Sequence, residues 1–327
     1  MRRRAWTSLL AAVAIVAGVA LGALDIQARQ GEAASPDVST PVTSGVIPAL
    51  AGTRQSNIGS SGAGTLAPSP ASVRDLSRLT TAVDVVIASS GASVGVTLIE
   101  LGGDDPVSWS VNGGEVFTAA STYKLAALML EAENIASGKT DPNGFVCFQA
   151  ADYEPGWFDD YDVGVCLTRN ELAVRAGIYS DNTAGHMLVR DVGGAAALNA
   201  WAASIGATSS QFFDGNMTTS ADLAALWEAE AQGDLGGIAA QAWLYPVLTG
   251  TRTESGVPAG VTGVTVLHKT GTIDLVEIDA ALVTAGPDGA YVLVVMTDGI
   301  GGTGGWELIA GISAGVSQFE AARAASN

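Results

Sequence analysis

The chain has 327 residues and a formal net charge of −18, with 48% hydrophobic residues and only 15 Lys and Arg. That is enough apolar material for a real core in one large domain or two modest ones. The acidity excludes a general nucleic-acid binder, whose phosphates most of this surface would repel.

The chain opens with "MRRRAWTSLLAAVAIVAGVALGALDIQARQ", three arginines followed by an apolar run from about Leu9 to Leu24. A cationic start and a short apolar core read as an export signal over 1–30, a signal peptide or signal anchor. The run is short for a comfortable membrane span, and small residues in "GEAAS" offer a cleavage site. No cysteine follows the run directly, which argues against a lipid anchor. The expected address is extracytoplasmic, secreted or at the cell envelope. Membrane contact is expected only through an uncleaved signal. Residues 31–72 are rich in Ser, Gly, Pro, Thr and Ala, and such a stretch buries too little to fold, so it reads as a flexible linker. The folded unit is expected over 73–327.

"VRDLSRLTTAVDVVIASS" carries apolar residues at helical spacing. "SVGVTLIEL" and "PVSWSVNG" alternate as strands around a Gly-Gly-Asp-Asp turn, a hairpin signal. From Ser121 to about Leu248 the pattern is mostly helical. Its members are "YKLAALMLEAENIAS", a single long run "RNELAVRAGIYSDNTAGHMLVRDV", "AAALNAWAASIG", "SADLAALWEAEA" and "GIAAQAWLYPVL". Strands return in "GVTVLHKTGT", "VEIDAALVTAG" and "YVLVVMTDG"; the cluster "DGIGGTGG" reads as a turn, and "WELIAGISAGVSQFEAARA" as a last helix. This order predicts an α+β domain in three layers, α/β/α. One antiparallel five-stranded sheet is built from both chain ends and flanked by the terminal helices, and the helical block of about 121–248 forms an inserted lobe. A cleft between lobe and sheet is the expected place for a site.

Cys147 and Cys166 are the only cysteines. In an exported chain the pair invites a disulfide, which would staple the Trp- and Asp-rich loop between them; two buried free thiols are the alternative. No zinc-spaced Cys/His set occurs, and no metal or other cofactor is expected.

Only three lysines occur, Lys124, Lys139 and Lys269. Ser121 stands three residues before Lys124, at the start of a helical run. A helix start favours an N-cap serine, and three residues along a helix share a face, so Lys124 can reach the Ser121 hydroxyl. A serine becomes a nucleophile when a base within hydrogen-bond reach takes its proton. Lysine serves as that base once burial or a second cation lowers its pKa. Ser180, Asp181 and Asn182 follow inside the helical block, and Lys269, Thr270 and Gly271 end a strand.

Ser-x-x-Lys, Ser-Asp-Asn and Lys-Thr-Gly in that order are the three-part signature of penicillin-recognising serine enzymes. From about Val73 to the C-terminus the chain resembles the class A β-lactamase-like serine hydrolases, with their β-lactamase/transpeptidase-like fold. The resemblance implies Ser121 as nucleophile and Lys124 as its base, with Ser180 relaying a proton to the leaving nitrogen. It implies Asn182 holding the substrate's side-chain amide, and Lys269 and Thr270 of the Lys-Thr-Gly element, beside Gly271, holding its carboxylate. The backbone N–H groups of Ser121 and Thr272 would form the oxyanion hole. A β-lactam or a peptidoglycan stem peptide is the implied substrate, taken by a monomer.

The chain departs from the family at one place. Class A β-lactamases carry a glutamate after Ser-Asp-Asn that activates the deacylating water, whereas no glutamate lies between Glu171 and Glu228 here. Asp214 and Asn216 are the candidate substitutes, against plain turn residues in "FDGN". Glu154 precedes Ser-Asp-Asn and matches a different loop. Acylation thus has its full set and deacylation does not, which fits a slow β-lactamase or a penicillin-binding D-Ala-D-Ala peptidase; a non-catalytic wall-binding domain is the remaining alternative. Arg252 either meets a substrate carboxylate or is a solvated loop residue. Tyr153, Trp157 and Phe158 either line the cleft mouth or pack the cysteine-bounded loop. His186 and His268 read as structural, and Trp201, Trp227 and Trp243 as core.

Overall fold

The computed structural model describes residues 70–103 and 105–325. The expected signal of 1–30 and all but the last three residues of the expected linker lie outside the described residues. Those three residues, Pro70–Ser72, belong to the first helix, α1 (Pro70–Ser90).

Five strands form one antiparallel sheet, β1 (Ser93–Glu100), β2 (Ser108–Val111), β7 (Val266–Ile273), β8 (Val276–Gly286) and β9 (Gly289–Asp298), in the order β2-β1-β9-β8-β7. The central pairing joins the two ends of the domain, with Ser93 opposite Asp298 and Glu100 opposite Tyr291. Strands β8 and β9 read as nearly continuous apolar runs because both faces of the sheet are covered. Alternation still sorts their side chains. Val292, Val294 and Met296 enter one core, and Tyr291, Leu293 and Val295 enter the other. The second core is closed by α1 and by α9 (Gly302–Ala324), which supply Leu79, Val83, Leu308, Ile309, Ile312 and Val316. These are the three expected layers.

The Gly cluster differs from expectation: Gly302, Gly304 and Gly305 form the first turn of α9 rather than a loop. Gly305 must be small, because a Cβ there would fall 2.5 Å from Glu277 Cγ.

Between the strand groups lies the helical lobe. Its centre is α2 (Tyr123–Ala136), buried at every position from Tyr123 to Ala132, as a helix apolar all round must be. Around it stand α3 (Arg169–Gly177), α4 (Asn182–Asp191), α5 (Gly194–Ser204), α6 (Ser220–Gln232) and α7 (Gly237–Leu244), while a one-turn α8 (Val257–Gly260) leads back to β7. Two short ribbons complete the lobe, β3 (Phe117–Thr118) with β6 (Met217–Thr218), and β4 (Phe145–Cys147) with β5 (Cys166–Thr168). Cys147 and Cys166 face each other in the second ribbon and are disulfide-bonded, closing the loop between them.

The single long run expected over 169–192 is two helices. The break falls at Ile178–Asp181, where Ser180 takes φ +57°, a left-handed conformation that interrupts a right-handed helix. Asp181 then caps α4, its Oδ1 accepting from Ala184 N at 2.9 Å. Helical periodicity conceals this break because both halves bury the same kind of face.

Candidate active site

Ser121 sits in a single 3-10 turn, Ala120–Thr122, immediately before α2. It does not cap the helix as expected, since Thr122 occupies the cap position and no side-chain cap bond forms. Its hydroxyl is left for Lys124, whose Nζ donates to Ser121 Oγ at 2.9 Å, to Ser180 O at 2.7 Å and to Asn182 Oδ1 at 2.7 Å. The turn is under strain: Ala120 takes φ +47°, a conformation costing a β-carbon residue about 1–3 kcal/mol. Asn216 holds it in place, its Nδ2 donating to Ala120 O at 3.2 Å and its own carbonyl accepting from Ala119 N at 2.7 Å.

Lys124 is fully buried. Burial drives its pKa down to about 7, against the opposing pull of Asp181 and Glu154. Much of the population therefore carries a neutral amine at neutral pH, ready to take the serine's proton. Gly185 permits this placement, because a Cβ on it would fall 2.6 Å from Lys124 Cε and 2.8 Å from Tyr123 Oη. A glycine inside the helical run is the only trace of that demand in the sequence.

The second cation arrives from the sheet. Lys269 Nζ donates to Ser180 Oγ at 2.8 Å and to Thr270 O at 2.7 Å. Burial, then the neighbouring Lys124, lower its pKa well below the ordinary lysine range, against Asp279. Ser180 Oγ thus touches Lys269 and lies 3.5 Å from Lys124 Nζ. Strand β7 is the edge of the sheet and approaches the nucleophile closely. The Cβ position of Gly271 is 3.0 Å from Ala119 O and 3.2 Å from Ser121 N, so a side chain there would crowd the turn that carries Ser121. This brings Ser121 N beside the Gly271–Thr272 segment, as an oxyanion site requires. The Thr272 hydroxyl donates instead to Glu277 Oε2 at 2.5 Å.

A cleft of about 220 Å³ opens onto this set, with Ser121, Ser180, Thr270 and Thr272 among its lining residues. A family model described as the beta-lactamase enzyme family matches residues 78–319. The chain belongs to the beta-lactamase enzyme family. It is 29% identical to beta-lactamase PSE-4 of Pseudomonas aeruginosa over 115 residues, 34% of this chain and 38% of that one. The match thus spans well under half the length of this curated relative. Among solved structures, PBP-A is 27% identical with a TM-score of 0.68, covering 74% of this chain and 95% of its own. A leucine-to-glutamate mutant of PBP-A, solved as an acyl-enzyme complex with penicillin G, has a TM-score of 0.67 at the same identity, covering 74% and 96%.

Within this beta-lactamase-family site, the two candidate water-positioning residues separate. Asp214 is exposed at the tip of its loop. Asn216 is half-buried against the Ser121 turn, and its Oδ1 is buried without a hydrogen-bond partner among the described residues. Glu154, which sequence matching assigns to a different loop, pairs with His186 Nε2 at 2.7 Å.

Asn182 serves two contacts, its Nδ2 donating to Pro155 O at 2.9 Å while its Oδ1 takes Lys124. Arg252 and Trp157 line the cleft and touch each other; Tyr153 is exposed, and Phe158 packs edge-on against Tyr179. His268 is buried, its Nδ1 2.9 Å from Asp279 Oδ1 and its Nε2 3.1 Å from Glu254 Oε1. Burial opposes its charge, but the Asp279 and Glu254 carboxylates outweigh that and raise its pKa to about 9. Of the three tryptophans read as core, Trp227 is fully buried and Trp201 and Trp243 are half-buried against the lobe. Among the described residues no group of three or more His, Cys, Asp or Glu is placed to hold a metal ion, and no helix is long and apolar enough to cross a membrane.

Proposed function

We propose that the chain is an exported, monomeric acyl-serine hydrolase that opens β-lactams, or the related amides of peptidoglycan stem peptides, through an ester on Ser121 that is released slowly. The observation that carries this reading is the buried Lys124 amine 2.9 Å from Ser121 Oγ, with a pKa near 7. Neutral Lys124 takes the hydroxyl proton as Oγ attacks the carbonyl carbon. Negative charge on the carbonyl oxygen is met by the N–H groups of Ser121 and Thr272; one such donor is typically worth ~10²-fold or more in rate. As the C–N bond breaks, Ser180 passes a proton to the leaving nitrogen, drawing on the two amines beside it. Lys269, Thr270 and Arg252 hold the substrate carboxylate, and Asn182 holds its side-chain amide.

Slow release is supported by the position of Asp214, exposed at its loop tip, and by the engagement of Glu154 with His186. The same observation favours a second reading, a D-Ala-D-Ala peptidase for which a β-lactam is a trap. The arginine-rich, apolar N-terminus supports export.

Intact-mass measurement after mixing with penicillin G tests the proposal. The wild type should gain one penicillin mass within minutes and lose it over a much longer time, and Ser121→Ala should gain none. No adduct at any time would sink the proposal in favour of a non-catalytic wall-binding domain. Release of D-alanine from a diacyl-D-Ala-D-Ala peptide would favour the peptidase.

A further inference from the structure

Glu277 is a fully buried carboxylate that takes no part in the proposed mechanism. It stands on β8 directly opposite Thr272 of β7. Its Oε2 accepts from the Thr272 hydroxyl at 2.5 Å, and its Oε1 accepts from Gly302 N at 2.8 Å, in the first turn of α9. Its main chain is held as well, the carbonyl accepting from Thr297 Oγ1 of β9 at 3.1 Å. One side chain thus joins the end of the edge strand to the start of the last helix. The packing around this link is close. A Cβ on Gly305 would fall 2.5 Å from Glu277 Cγ, and one on Gly301 would fall 2.6 Å from Asp274 O, in the turn between β7 and β8. The helix start therefore backs the whole hairpin.

Burying a carboxylate is costly even when its oxygens are satisfied, so an acid at this place needs a reason. Hairpin geometry supplies one. Asp274 and Leu275 form a two-residue turn, closed by the pair Ile273 and Val276. The pair that flanks such a turn exchanges hydrogen bonds, and the next pair, Thr272 with Glu277, is then a non-hydrogen-bonded one whose side chains lie closer together. In that pair the main-chain N–H of Thr272 points away from β8, off the open edge of β7. The same edge approaches the turn that carries Ser121. On that side β7 has no neighbouring strand among the described residues to fix the direction of the N–H. The bond from the Thr272 hydroxyl to Glu277 anchors the same residue from its other side. Thr272 itself is exposed at the cleft, so a rigid anchor for it has to come from the buried layer behind.

We infer that Glu277 is a positioning residue: through the Thr272 hydroxyl and the start of α9 it holds the Thr272 N–H where negative charge develops as Ser121 is acylated. This rests on the proposed acyl-serine chemistry. Rapid-quench mass measurement over a range of penicillin G concentrations separates the first, non-covalent complex from the acylation step. Glu277→Leu removes both bonds and should slow acylation by about 10–10²-fold while leaving the first complex unchanged. Glu277→Gln, whose amide can still accept from Gly302 N and donate to the Thr272 oxygen, should restore most of the rate. A boronic acid forms a tetrahedral anion on the serine and so reads the oxyanion site at equilibrium. Its affinity should fall by the same factor as the acylation rate in Glu277→Leu, a match that a merely looser fold would not produce. Thr272→Val cuts the same link with Glu277 in place, so it should show the same loss even where Glu277→Leu fails to fold. A wild-type acylation rate in Thr272→Val, or an equal fall in Glu277→Gln and Glu277→Leu, would overturn the inference and leave Ser121 as the nucleophile. Absence of any adduct on the wild type would instead remove the acyl-serine reading, and this inference with it.

Discussion

Lys124 Nζ is buried and lies within hydrogen-bond reach of Ser121 Oγ, Asn182 Oδ1 and both oxygens of Ser180. Its low pKa sets a pH dependence. Above about 7 the amine is neutral and, in the proposed mechanism, would act as the base; below, it is protonated and the hydroxyl would keep its proton. The acylation rate should climb by about tenfold per pH unit on the acid side and flatten above pH 7. A flat rate from pH 5.5 to 8.5, followed by adduct formation, would remove Lys124 as the base. Lys124→Ala should slow acylation by about 10²–10⁴-fold with the fold retained by circular dichroism. The residues that the fold gathers around Ser121 were legible in the sequence because the proposed chemistry restricts both their type and their spacing. What surrounds them was not. Nothing in the chain order links Arg252 to Trp157, or His268 to Asp279 and Glu254, since these contacts exist only after folding.

At the scale of elements, strands were easier to read than helix boundaries. Period-2 and apolar runs marked β1, β7, β8 and β9 because each is buried on at least one face. The break between α3 and α4 escaped because a positive φ at Ser180 has no signature beyond the motif itself. The Gly cluster misled because glycine's usual role in turns conceals a helix start pressed against Glu277. The loop between β4 and β5 positions Asn182 through Pro155 O and Asp181 through Trp157 N. Gly156→Ala should therefore push this loop off Asp181; acylation is expected to fall while Ser121 and Lys124 stay in place. An unchanged rate would show that the loop does not support the site. The disulfide spans 19 residues of sequence, and replacing both cysteines by alanine should cost about 3 kcal/mol in urea unfolding. An unchanged midpoint would mean that the ribbon holds without it.

At the scale of the whole molecule, several buried acids lack adequate partners. Glu230 is driven up to about 8 by burial, then by the nearby Glu133, and both of its carboxyl oxygens are buried without hydrogen bonds among the described residues. Glu320 is raised to about 8 by burial and by Glu100. In each case the folded pKa exceeds the unfolded one, so the folded state holds the proton more tightly. The stability this contributes is complete below about pH 4.5 and is lost as pH rises through 8. His268, raised to about 9, acts in the same direction, its contribution complete below its unfolded value near 6.5. The melting temperature should fall from pH 5 to pH 8, and Glu230→Gln should flatten part of that fall. Identical slopes for mutant and wild type, by scanning calorimetry, would discount Glu230.

The pairing of Ser93 with Asp298 has a consequence in time rather than in space. A ribosome delivers β1 and its neighbour β2 long before β9, the strand on the other side of β1, and Lys269 cannot be set opposite Ser180 until the final hairpin docks. Sheets closed by such distant partners fold slowly and expose unpaired edges meanwhile. If the chain is exported, as proposed, that delay would be useful, because a polypeptide still waiting for its last strand is one that can be threaded across a membrane unfolded.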